Sequence, residues 1–117
     1  MTSEEYARLF GRHLLGVVNE NGKDTNGYAY KRLFTLGITR IMVTGADEYE
    51  VEADVQQVEV KPLGDLVTDV EEEITDLIAY CAAIAYRDPA TADQMKRLTA
   101  LAVEQMEIIG EVRGDEG

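Results

Sequence analysis

An all-α fold, a four-helix bundle-like domain with a short extended arm or β-hairpin between its second and third helices, is what this sequence predicts. Three observations carry it. Apolar residues recur at three- and four-residue spacing through four long stretches. Capping or stop residues stand at their ends, namely Thr2, Gly45 and the Asp88-Pro89 pair. Strict apolar–polar alternation is confined to one short stretch within residues 46–61.

The first helix is expected over residues 3–19. Thr2 and Glu5 have the spacing of a capping box, in which each side chain satisfies the other's exposed backbone N–H. Tyr6, Leu9, Phe10, His13, Leu14 and Val17 share one side. His13, in the middle of that side, reads as a hydrogen-bonded core residue. Residues 19–27 are dense in Asn, Gly and Asp and form a loop.

The second helix is expected over residues 27–44, with Tyr30, Phe34, Gly37, Ile38 and Ile41 as its stripe and Gly45 just past its end. Gly37 costs about 1 kcal/mol against alanine inside a helix, so its place in the stripe calls for a close approach by another helix. Lys31, Arg32 and Arg40 project elsewhere, as a solvated face or with one of them reaching an acidic group or a phosphate.

In the arm, Tyr49, Val51, Ala53 and Val55 alternate with acids, and Val58 and Val60 continue the period. That predicts a ribbon turning near Glu52-Ala53-Asp54. A third helix follows over 63–87. Its stripe is Leu66, Val70, Ile74, Leu77, Cys81 and Ile84. Asp88 and Pro89 open a fourth helix over 89–112, with Thr91-Ala92-Asp93-Gln94 a competing start, and 113–117 frays. The 117 residues are read as one helical domain.

Charge is unevenly spread. Residues 1–44 hold six Lys/Arg against four Asp/Glu, and residues 45–117 hold five against nineteen, within a net charge of −12. A field of that sign disfavours direct nucleic-acid binding and favours cations or a basic partner. No apolar run reaches membrane-spanning length and Met1 is not followed by a signal peptide. The lone Cys81 lies in an apolar stripe and reads as a small buried hydrophobe in a reducing compartment. A cytoplasmic protein without membrane contact is expected. Apolar residues on further sides, such as Leu15 and Val18, point to a homo-oligomer, most simply a dimer.

Candidate chemistry is confined to carboxylates. No phosphate-cradling glycine loop, cysteine pair or second histidine exists, and the single serine, Ser3, stands at a helix start. On the third helix Asp69, Glu73 and Asp76 edge the apolar stripe, and Glu73 is expected to lean towards the packed side. Residues three apart share a helix face, so Glu73 and Asp76 can grip one hard cation.

The segment Glu72-Glu73-Ile74-Thr75-Asp76-Leu77-Ile78-Ala79-Tyr80 resembles the Glu-Glu-x-x-Asp segment of the all-α nucleoside triphosphate pyrophosphohydrolases, the MazG-like group. The resemblance implies a Mg²⁺-dependent (Mn²⁺ possible) hydrolase that cleaves a nucleoside triphosphate to the monophosphate and pyrophosphate. Glu73 and Asp76 would be the metal ligands, Glu72 and Glu48 further donors, and Lys31, Arg32 and Arg40 substrate contacts. The group's Glu-x-x-Glu pair on the preceding helix has no counterpart, because no acid occurs between Gly27 and Thr44. Glu104 and Glu107 have that spacing, but on the last helix. Two alternatives therefore stand beside the hydrolase: a non-catalytic helical module binding a nucleotide or a basic protein, and a structural helical oligomer. Size and acidity also resemble a small bacteriophage accessory protein, whose compartment would be the host cytoplasm.

Overall fold

The computed structural model describes residues 1–45 and 49–114. The chain divides into two compact units, Met1–Lys61 and Pro62–Gly117. Almost all of the described chain is helical, with one small antiparallel ribbon.

The first unit opens with α1 (Ser3–Glu20). Thr2 Oγ1 accepts from the Glu5 N–H at 3.0 Å, and the Thr2 N–H donates to Glu5 Oε1 at 2.8 Å, so the capping box forms as expected. The loop turns at Gly22 with φ +62°, and the Asp24 side chain accepts the Asn26 N–H. Next comes α2 (Tyr28–Thr39), whose chain runs on as a π-helical turn, Arg40–Thr44, where the sequence suggested continued α-helix. That wider turn ends with the Gly45 N–H donating to the Arg40 carbonyl.

The core of this unit is small: Ala7 and Ile41 are buried, with Tyr6, Phe10, Leu14 and Ile38 half-buried around them. The packed side of α1 is therefore centred on Ala7, and Leu9, His13 and Val17 are exposed. His13 is thus a solvent-facing residue and not a core one. The short residues Ala7 and Gly11 let α2 come close, which turns the bulkier neighbours outward.

The arm is a ribbon of β1 (Glu50–Glu52) and β2 (Val55–Gln56), paired Glu50 to Gln56 and Glu52 to Val55. It turns at Ala53-Asp54, with Asp54 at φ +63°, a conformation that Asp tolerates better than most residues. The alternation does not continue through Val58 and Val60, which lie in a single helical turn, α3 (Gln57–Val60). The Gln56 N–H donates to Glu59 Oε1 at 3.1 Å there, and Glu59 also pairs with the Met1 amine at 2.7 Å. These contacts hold the Glu59 carboxyl below its ordinary range, chiefly through the hydrogen bond from the amine. Gln56 is fully buried, and its Nε2 donates to Met1 O and Ser3 Oγ at 3.3 Å each. The ribbon is in this way pinned to the start of α1.

The second unit is a helical hairpin of α4 (Leu63–Arg87) and α5 (Ala92–Arg113), joined by the 3₁₀ turn Pro89–Thr91. Asp88 caps that turn, and the Thr91 hydroxyl donates to the Asp88 carbonyl, so the competing start at Thr91 does not act as a side-chain cap. Gly114, in the left-handed region, ends α5. Val67, Ile74 and Cys81 are buried at heptad spacing, with Glu71, Ile78 and Ala85 beside them, and Ala102 is fully buried on α5. No helix among the described residues is long and apolar enough to cross a membrane.

Candidate functional site

The carboxylates face water. The buried stripe of α4 runs through Val67, Ile74 and Cys81; it shares Ile74 and Cys81 with the stripe that spacing alone predicts, but its centre lies about 50° further round the helix. Glu73 consequently does not lean into a core; it is exposed, as are Glu72 and Asp76. The carboxylate that does lie against the packing partner is Glu71. Its two oxygens receive Arg113 Nη2 at 2.7 Å and Nε at 3.2 Å, and the same Nη2 reaches Thr68 Oγ1 at 2.9 Å. Both side chains are about two-thirds covered, so this forked pair exceeds an ordinary surface pair in geometry while remaining partly screened.

Glu71, Glu72 and Asp76 line a shallow depression of about 240 Å³ with Thr68 and Thr75. Oxygen donors of this kind suit Mg²⁺. The geometry supplies them from one helix, however, and one of the three is already engaged by Arg113. Glu73 does not line that depression. Among the described residues no three His, Cys, Asp or Glu side chains are grouped so as to hold a metal ion. Glu48, the fourth candidate donor, lies outside the described residues. Lys31 and Arg32 are exposed on α2, and Arg40 is exposed at the start of the π-helical turn; all three belong to the first unit.

A feature that the spacing did not reveal lies between α1 and α2. Ala7 and Gly11 form the floor of an apolar groove of about 460 Å³, walled by Leu15, Tyr30, Phe34 and Ile38. The Tyr30 and Phe34 rings are 5.9 Å apart and tilted by 31°, one wall of the groove. Glu4, Arg8 and Arg12 stand along it; Arg8 holds Glu4 at 2.7 Å and both are well exposed. The signal was present as two small residues four apart, Ala7 and Gly11, which mark where backbone is exposed for close approach. A side chain on Gly11 would begin 3.3 Å from the Phe34 ring.

In the same unit Tyr6 and Tyr49 meet edge to face at 5.8 Å. Burial, and then the neighbouring Tyr49, push the Tyr6 hydroxyl above its ordinary pKa.

Comparison with family models, curated proteins and solved structures found no match for this chain.

Proposed function

We propose that this chain is a non-catalytic helical binding module that takes up an apolar segment of another protein in the groove between α1 and α2. The observation that carries the reading is the groove itself. A small unit with so little buried side-chain mass leaves Phe34, Leu15 and Met42 about two-fifths exposed around an open apolar channel. An amphipathic helix fills such a channel with side chains one turn apart, and Arg8 and Arg12 along it favour acids flanking that stripe.

A displayed library of random helical peptides tests this. Selected peptides are expected to carry apolar residues at i, i+3/i+4 and i+7, and to lose binding to Phe34→Glu and Leu15→Glu. Enrichment of sequences that bind these two variants as well as the parent overturns the groove as the site, and so does a selection that enriches nothing.

A second reading, the Mg²⁺-dependent nucleoside triphosphate pyrophosphohydrolase of MazG-like type, keeps the support of Glu72, Glu73 and Asp76 at their spacing on α4. It needs donors beyond that helix, and release of pyrophosphate in the presence of Mg²⁺ or Mn²⁺ distinguishes it from the binding module.

A further inference from the structure

Both helices of the second unit carry a second apolar stripe besides the one that joins them. On α4 it runs through Leu66, Val70, Leu77 and Ile84, interrupted by Glu73; Val70 and Ile84 are 43% and 45% exposed. On α5 it runs through Leu98, Leu101, Ile108 and Val112, interrupted by Gln105; these four apolar residues are 40–60% exposed. Each follows the alternating three- and four-residue step of a helix–helix interface. Each also lies about a quarter turn from its helix's packed stripe, in the same rotational sense. Because α4 and α5 run antiparallel, equal senses bring both stripes to the same side of the hairpin. The opposite side carries Thr68, Glu72, Thr75, Lys96 and Glu107, with Val103 the one large apolar residue among them.

The register of the hairpin is fixed by the bonds from Arg113 to Thr68 and Glu71 at one end and by the turn at Pro89–Thr91 at the other. That register, with facing residue numbers summing to about 180, sets Leu66 near the level of Val112, Val70 near Ile108, and Leu77 near Leu101. Glu73 and Gln105, the two polar interruptions, share the layer between them.

We infer that this apolar side seats a second copy of the chain, completing an antiparallel four-helix bundle in which Glu73 accepts a hydrogen bond from the partner's Gln105. Two arguments select a second copy. The first is size: from Leu66 to Ile84 the side is about 27 Å long, and at two helix diameters wide it offers on the order of 500 Å² per copy, which brings the pair to about 1,000 Å², the lower bound for a specific interface and the size of a reversible one. The second is complementarity. A two-fold axis parallel to the helices sets each α4 over the partner's α5, so every apolar layer meets its own kind. In that arrangement the Glu73 carboxylate meets an amide donor; an axis across the helices would set it against another carboxylate. A single polar layer in an apolar interface is also a known way to fix register and partner. The second unit carries thirteen acids against four Lys/Arg, so association works against like charge and strengthens with salt.

Sedimentation of the full chain across the micromolar range tests the inference. A species of twice the 13.0 kDa chain mass is expected, gaining population as NaCl is added. Leu101→Glu and Val70→Glu are expected to raise the dissociation constant at least about tenfold with unchanged helical circular dichroism, while Lys96→Glu on the opposite side leaves it within about twofold. Gln105→Lys, facing Glu73 across the interface, is expected to tighten association, and Gln105→Glu to weaken it. A monomer at every concentration overturns the inference, as does a dimer indifferent to Leu101→Glu. A dimer that Gln105→Lys weakens overturns the stated axis. None of these readouts depends on the groove between α1 and α2, so the two proposals fail separately.

Discussion

The Phe10 ring of α1 occupies the space where a side chain on Gly37 of α2 would begin, with Phe10 Cζ well inside van der Waals contact of that position. No real pair of carbons comes so close, so one side chain excludes the other. This contact joins α2 to α1 beside the groove floored by Ala7 and Gly11.

Gly37→Ala is therefore expected to destabilise the first unit. Overpacking costs about 1–3 kcal/mol, more than the ~1 kcal/mol that alanine gains over glycine within a helix. In a Phe10→Leu background the same change is expected to be near neutral. Urea unfolding of the parent, both single variants and the double variant measures the coupling; additive effects would mean that the two residues do not share the space.

Ile74→Ala is expected to cost about 2–4 kcal/mol, as for a buried large-to-small change. Leu77→Ala, half-exposed on the same helix, is expected to cost less than half as much in the monomer, at concentrations where association is negligible. Thermal or urea unfolding of the two variants compares Ile74, common to the packed stripe and the one that spacing suggested, with Leu77, which belongs only to the latter. Equal costs would place the packed stripe back at the sequence-predicted position.

The sequence made the ends of elements legible, because caps are local chemistry. Thr2 with Glu5, Asp88 before Pro89, and Gly37 as a contact point can all be read from neighbouring residues. It did not reveal which side of α4 is buried. Two stripes, one through Val67 and one through Leu66 and Val70, together cover about half the circumference, and periodicity cannot say which one a neighbour fills. Glu73 was placed by the wrong stripe, and Glu71 was missed for the same reason. Val58 and Val60 misled differently: their alternation imitates a strand, while the turn they form is held by the Gln56 N–H to Glu59 Oε1, which no cap residue in the sequence announces.

The Glu5 carboxylate is held below its ordinary pKa, first by the hydrogen bond from the Thr2 backbone N–H and then by the Thr2 side chain. A depressed folded-state pKa adds stability that is present above the unfolded value and is lost as pH falls through the folded one. The first unit is thus expected to weaken on acidification below the usual carboxylate range. Pro at residue 2 would remove the N–H, so Thr2→Pro should raise the Glu5 titration midpoint seen by NMR. A midpoint that does not move would detach Glu5 from the cap.

The central claim is that this chain acts by docking and not by turnover, with Glu72 and Asp76 on a solvated face of α4. The most direct measurement is pyrophosphate release from each common nucleoside triphosphate, with Mg²⁺ or Mn²⁺, by the parent chain and by Asp76→Asn. The expected result is no release above background from either protein. Metal-dependent release by the parent that Asp76→Asn abolishes, with its fold intact, would contradict the claim and restore the hydrolase.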